Sequence, residues 1–175
     1  EALENAQMAH LAGDRRKVID LIHETNSTLL RDWTESLWGK NSPYVKPKPT
    51  SLVHPQISKE FRISVRMPNS RERKILVERD GYHCRYCGVP VIPAETRSRI
   101  SFLYPEAKIW GRTNASQHAA FQAMWLQYDH VLPHSRGGDN SIDNVVISCA
   151  PCNFGKMDFA VDELGIEDPR RRAPM

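Results

Sequence analysis

The chain has 175 residues, enough for one ordinary domain or for a small domain with an appended arm. Hydrophobic residues make up 40% and charged residues 26%, a globular balance that excludes wholesale disorder. The formal charge of +3 permits a polyanionic partner without demanding one, and no apolar run reaches the roughly 18 residues of a membrane span.

Residues 2–38 read as helix, because Val18, Leu21/Ile22, Leu29, Trp33 and Leu37 recur near the helical period. Asp14 is placed to cap a helix opening on Arg15-Arg16-Lys17. Gly13 divides a short leading helix from a longer one, and Gly39 suits the end. Prolines 43, 47, 49 and 55 mark an extended linker over 41–56. Phe61, Ile63, Val65 and Met67 alternate with polar residues, the period of a strand. Asn69 or Ser70 then caps a helix over Arg71–Arg79, which Gly81 ends. A helix is expected over Ala115–Leu126, a strand over Tyr128–Leu132, a turn-rich loop at Arg136-Gly137-Gly138-Asp139, a returning strand over Asn144–Ile147, and a helix opening at Asn153. Basic groups stand at Arg71, Arg73 and Lys74, at Arg97 and Arg99, and at Arg170–Arg172. Each is either a phosphate contact or a solvated face.

Cys84, Cys87, Cys149 and Cys152 form two CxxC pairs. Two intervening residues let both sulfurs of a pair reach one metal in the tetrahedral geometry of Zn²⁺. No charged-then-apolar leader is readable, so an intracellular (cytoplasmic) setting is expected, and there paired cysteines favour metal over disulfides. Two disulfides and a redox CxxC are the alternatives. The pairs lie much farther apart than the roughly 15–20 residues of a zinc ribbon, so the clamp should staple a larger insert. A closed four-cysteine zinc site has no open coordination position and should hold structure only.

Between the pairs, Tyr128 to Lys156 reads Tyr-Asp-His-Val-Leu-Pro-His-Ser-Arg-Gly-Gly-Asp-Asn-Ser-Ile-Asp-Asn-Val-Val-Ile-Ser-Cys-Ala-Pro-Cys-Asn-Phe-Gly-Lys. This stretch closely resembles the signature of the HNH, or ββα-metal, endonucleases, and the resemblance covers about residues 70–160. It implies an α+β fold: a small hairpin-and-helix nuclease core around one divalent ion, here stapled by the four-cysteine zinc site and preceded by an N-terminal helical arm. Carried over by position, His130 matches the family's general base and Asp129 the adjacent metal ligand. Asn144 matches the middle asparagine, and Asn153 the helix-borne ligand. That last position is His in the members that name the family, which makes this chain an H-N-N variant. The resemblance implies hydrolysis of a nucleic-acid phosphodiester, with DNA, duplex above all, as substrate. The alternative is a zinc-stapled nucleic-acid-binding module without catalysis.

The same residues make chemical sense on their own. Phosphodiester hydrolysis needs a deprotonated water, and neutral imidazole is the side chain whose ordinary pKa suits a base near neutrality. A carboxylate and an amide oxygen are hard ligands suited to Mg²⁺ or Mn²⁺. With one protein charge, such an ion should bind weakly until substrate completes its shell. Successive strand residues face opposite ways, so Asp129 and His130 can share a site only where the strand ends or bulges. His134, Arg136 and Lys156 are candidate phosphate contacts. Trp110 and Trp125 either stack on bases or fill a core. The organisation expected is a helical region at 1–40 for assembly, partner binding or self-association, a linker at 41–56, a nuclease domain at 57–165 with an insert at 91–127, and a basic tail at 166–175.

Overall fold

The computed structural model describes residues 1–38 and 54–174; most of the expected proline-rich linker, and the expected helix end at Gly39, lie outside the described residues. Three helices open the chain: α1 (Ala2–Leu11), α2 (Arg15–Glu24) and α3 (Thr28–Trp38). Asp14 caps α2 by accepting from the Lys17 amide at 3.0 Å. The single long helix expected after Gly13 is instead broken at Thr25-Asn26-Ser27. Asn26 and Ser27 compete for backbone hydrogen bonds, and the Ser27 hydroxyl accepts from the Leu30 amide to start α3 afresh.

Over residues 61–67, where a strand was expected, none forms. Residues 59–61 make a 3₁₀ turn and 62–69 run on without regular structure, bending at Arg62, Ser64 and Met67, with Phe61, Ile63, Val65 and Met67 all exposed. Alternation was a misleading signal here, because a strand needs a partner edge and this segment pairs with none among the described residues. α4 (Ser70–Asp80) follows with a complete capping box, Asn69 accepting from the amides of Arg71 and Glu72 while Glu72 accepts from the Asn69 amide. Gly81 at φ 64 ends it.

The insert contains α5 (Ala94–Leu103), which lacks a clear apolar stripe and was not foreseen, and α6 (Ala119–Ala123), shorter than the helix expected over 115–126. β1 (Leu126–His130) and β2 (Val145–Cys149) then pair antiparallel, with Tyr128 opposite Ile147 and His130 opposite Val145. α7 (Ala150–Lys156) opens directly from β2, three residues earlier than expected. The architecture is α+β, with seven helices and a two-stranded sheet among the described residues. None of those helices is long and apolar enough to cross a membrane.

Two cores organise these elements. In one, Leu76 of α4, Cys84, Val91, Leu126 and the inward residues Val145, Ile147 and Cys149 of β2 pack together. In the other, Ala6, Ala9, Val18 and Ile22 of the N-terminal helices meet Tyr104, Ala107, Ile109 and Phe121 of the insert. Polar ties run across this second core. Arg15 donates to both carboxylate oxygens of Glu106, and His10 Nδ1 lies 2.6 Å from the Tyr104 hydroxyl. The Asn26 side chain accepts from the Ala119 amide. The insert thus has a clear structural role, since it and the first two helices supply one another's buried face. Trp110 packs against this core and Trp125 packs on Trp110. They meet edge-to-face with centroids 5.5 Å apart, and the Arg97 guanidinium lies 3.4 Å from the Trp110 centroid.

Candidate active site and metal centre

β1 ends at His130, and that ending lets two adjacent residues serve one site. Asp129 and His130 are both buried, yet both line a cleft of about 1020 Å³ together with Gln127, His134, Asn153 and Phe154. Another stretch of its lining is the segment after the linker, which brings Lys59, Arg62 and Arg66, with Glu60 among them, to the cleft. Asn153 arrives on the first turn of α7, where the tight passage from Cys149 through Pro151 sets the helix directly after the strand. Its amide nitrogen lies 3.4 Å from Gln127 Oε1.

Asp129 is held from two sides. Its Oδ2 accepts from the Tyr86 hydroxyl at 2.6 Å, and its Oδ1 lies 3.4 Å from Lys156 Nζ. Burial pushes its pKa up to about 6, against the lowering effect of the Lys156 charge and the Tyr86 bond. Burial likewise raises the Tyr86 phenol, with the Asp129 charge adding to it, and lowers Lys156. Lys156 is only 2% exposed, so its ammonium serves Asp129 and the Phe159 carbonyl from inside the protein. His130 is lowered by burial and so is neutral near pH 7, and its Nε2 lies 2.8 Å from Asn140 Oδ1.

Asn144 sits one layer out. Its Oδ1 accepts from the Leu132 amide, and its Nδ2 donates to the carbonyls of Leu132 and Asp139, which staples the loop between the strands. Gly138 lies within that staple. A Cβ there would sit 1.8 Å from the Leu132 carbonyl oxygen, so the loop closes only over glycine. His134 lines the cleft, with Nε2 2.9 Å from the Ile63 carbonyl. Arg136 does not face the cleft. It is 4% exposed and committed to Glu163 at 3.0 Å and to the carbonyls of Asp158 and His54, so it anchors the loop to the C-terminal segment. Asn140 is the residue that reading the sequence missed. An Asn beside an Asp in a glycine-rich loop carries an ordinary turn signal, and nothing in its spacing marks its contact with His130.

The four cysteines converge behind this site. All four sulfurs lie within 4.8 Å of one another, and Cys87 Sγ is 3.7 Å from Cys149 Sγ. A disulfide would need about 2.05 Å, whereas a tetrahedral zinc with bonds of about 2.3 Å separates its sulfurs by about 3.8 Å. The thiols also cannot ionise independently. Cys84 is driven far below the ordinary thiol range by hydrogen bonds from Cys149, Cys152 and Cys87, while Cys152, the donor to its neighbours, is driven far above it. Four sulfurs this close could hold a metal ion, and their chemistry is compatible with zinc.

The C-terminal arginines are partly structural. Arg85 donates to the carbonyls of Pro169 and Arg172, and Arg172 donates back to the carbonyls of Arg85 and Tyr86, docking the tail onto the first cysteine knuckle. Arg170 pairs with Asp168 at 2.6 Å.

Residues 118–167 match the family model described as HNH endonuclease. No curated protein and no solved structure matches the chain. That span takes in both strands, α7, the second cysteine pair and the Asp129, His130, Asn144 and Asn153 set. The segment from His118 to Glu167 is therefore similar to the HNH endonucleases over the part of the chain that carries the cleft residues Asp129, His130 and Asn153.

Proposed function

We propose that this chain is a metal-dependent endonuclease that hydrolyses phosphodiester bonds of DNA, with His130 as general base and Mg²⁺ or Mn²⁺ held by Asp129 and Asn153. The observation that carries this reading is the convergence of a neutral buried imidazole, a carboxylate and an amide on one cleft whose lining also bears Lys59, Arg62 and Arg66. The three cations would receive the phosphate backbone and fix its register without reading sequence. His130 would take the proton from the attacking water. Asp129 is kept in place by Tyr86 and Lys156, which hold its oxygens from the protein side. The divalent ion, when bound, would stabilise charge on the phosphoryl and leaving oxygens. A zinc ion in the four-cysteine cluster would act on none of these steps. It would fix the start of α7, where Asn153 follows Cys152 directly. Reduced thiols in such a cluster suit an intracellular setting.

Plasmid nicking tests this reading. Wild-type protein should nick duplex DNA with Mg²⁺ or Mn²⁺ and stop on addition of EDTA. His130→Ala should lose about 10²–10⁴-fold in rate while keeping its circular-dichroism spectrum. Equal cleavage by the two proteins would sink the mechanism. Tight DNA binding with no cleavage by wild type, on any duplex, single-stranded or RNA substrate, would favour a non-catalytic binding module.

A further inference from the structure

We infer that Asn140 is a positioning residue that selects the tautomer of His130 and ties it to the basic wall of the cleft. This rests on the reading of His130 as the base. Asn140 Nδ2 donates to the Val65 carbonyl at 2.5 Å, with the Met67 carbonyl at 3.5 Å. A carbonyl oxygen only accepts, so the NH₂ end of the Asn140 amide must face residues 65–67. Its Oδ1 then faces His130, 2.8 Å from Nε2. That oxygen also only accepts, so the hydrogen of the neutral imidazole sits on Nε2 and the lone pair on Nδ1. The amide thus fixes which nitrogen can take a proton from water.

The loop gives Asn140 little freedom to turn over. Asp139 Oδ1 accepts from the Ser141 amide and hydroxyl, and the Asp139 carbonyl accepts from Asn144 Nδ2. Asn144 therefore acts through the loop backbone, and Asn140 is the amide that touches the imidazole. The segment gripped by Asn140 is also the one that carries Arg62 and Arg66 to the cleft and meets His134 through the Ile63 carbonyl. Seating of the phosphate backbone on that wall and orientation of the base are coupled through one side chain.

The test uses the full, zinc-loaded chain in two variants and two measurements. Long-range ¹⁵N–¹H spectra of the histidine side chains, recorded where imidazole is neutral, report the tautomer. Steady-state nicking separates kcat from KM. In wild type His130 should carry its hydrogen on Nε2. Asn140→Ala, which loses both acceptor and donor, should give a tautomer mixture, lower kcat by about 10–100-fold and raise KM. Asn140→Asp keeps the acceptor but loses the donor. It should retain the Nε2–H form and most of kcat, and raise KM as the basic wall loosens. Asn140→Asp matches the native size and keeps the proposal testable if the alanine variant disturbs the loop. An Nδ1–H form in wild type, or a fall in kcat with an unchanged tautomer in Asn140→Ala, would overturn the assignment. If His130→Ala still cleaves, the base reading fails, and the spectra still decide whether Asn140 holds the imidazole.

Discussion

Asp80 shows how one buried carboxylate can organise the surroundings of a site it never touches. It is fully buried at the end of α4 and accepts from Arg79 Nε at 2.6 Å, from Arg79 Nη2 at 2.7 Å and from the Ile147 amide at 2.9 Å. Arg85 Nη1 lies 3.5 Å away and is also buried. Breaking such a pair leaves one charge uncompensated and the Ile147 amide without its acceptor. Asp80→Ala should therefore destabilise the fold by about 3–5 kcal/mol, measured by urea unfolding. A loss below about 1 kcal/mol would mean the group behaves as an exposed pair. In the sequence Asp80 is an ordinary polar residue before a helix-ending glycine. The convergence of the cysteines was legible because their chemistry demands fixed residue types at fixed spacings. Asp80 and Asn140 were not, because their partners lie 67 and 10 residues away and could have been many other residues.

At the scale of elements, the helices α1 and α2 and the insert stand or fall together. Their junction is held by Ile22 and His118. The ring of His118 is 1% exposed, its Nε2 donates to the Ile22 carbonyl at 2.8 Å, and Nδ1 has no partner among the described residues. Burial lowers the His118 pKa below its ordinary value, although the Ile22 carbonyl opposes the shift. A histidine depressed in the folded state contributes its full stability above the unfolded pKa, about 6.5. That contribution is lost as pH falls from there toward the folded value. Thermal melts of wild type and His118→Phe should converge in their pH dependence only above about pH 6.5. Below it the wild type should weaken more steeply, and parallel curves throughout would remove His118 as the cause. The amphipathic face of α2 was readable from Val18 and Ile22, but its partner was not. Only the fold brings Phe121 and Ile109 to it, from a stretch whose own periodicity is poor. The segment 61–67 erred the other way. Its alternation is real, yet the chain uses it as a wall of the cleft, with its carbonyls taken up by His134 and Asn140.

For the whole molecule, the four-cysteine cluster is the joint between the parts. Cys84 and Cys87 follow α4, while Cys149 ends β2 and Cys152 lies in α7. Stripping the metal should disconnect the hairpin from α4 and misplace Asn153. Dialysis against a strong chelator should lower the melting temperature and abolish nicking that added Mg²⁺ alone does not restore. Elemental analysis of the untreated protein should find about one zinc per chain. A chelated protein with an unchanged melt and no zinc would refute the clamp. This joint was the most legible global feature, since two CxxC pairs together are a spacing that can bring four sulfurs to one point. The two-core arrangement was hidden, because nothing local says which apolar faces will meet. Cys87 and Cys149 are 62 residues apart. The entropy of closing a loop rises only with the logarithm of its length, at about 0.6 kcal/mol per doubling. Stretching a ribbon-sized spacer of about 15 residues to this length thus costs only about 1.2 kcal/mol. A clamp that fixes both ends of the loop makes the chain between them thermodynamically cheap to lengthen, which is how a second packed unit can sit between two halves of one metal site.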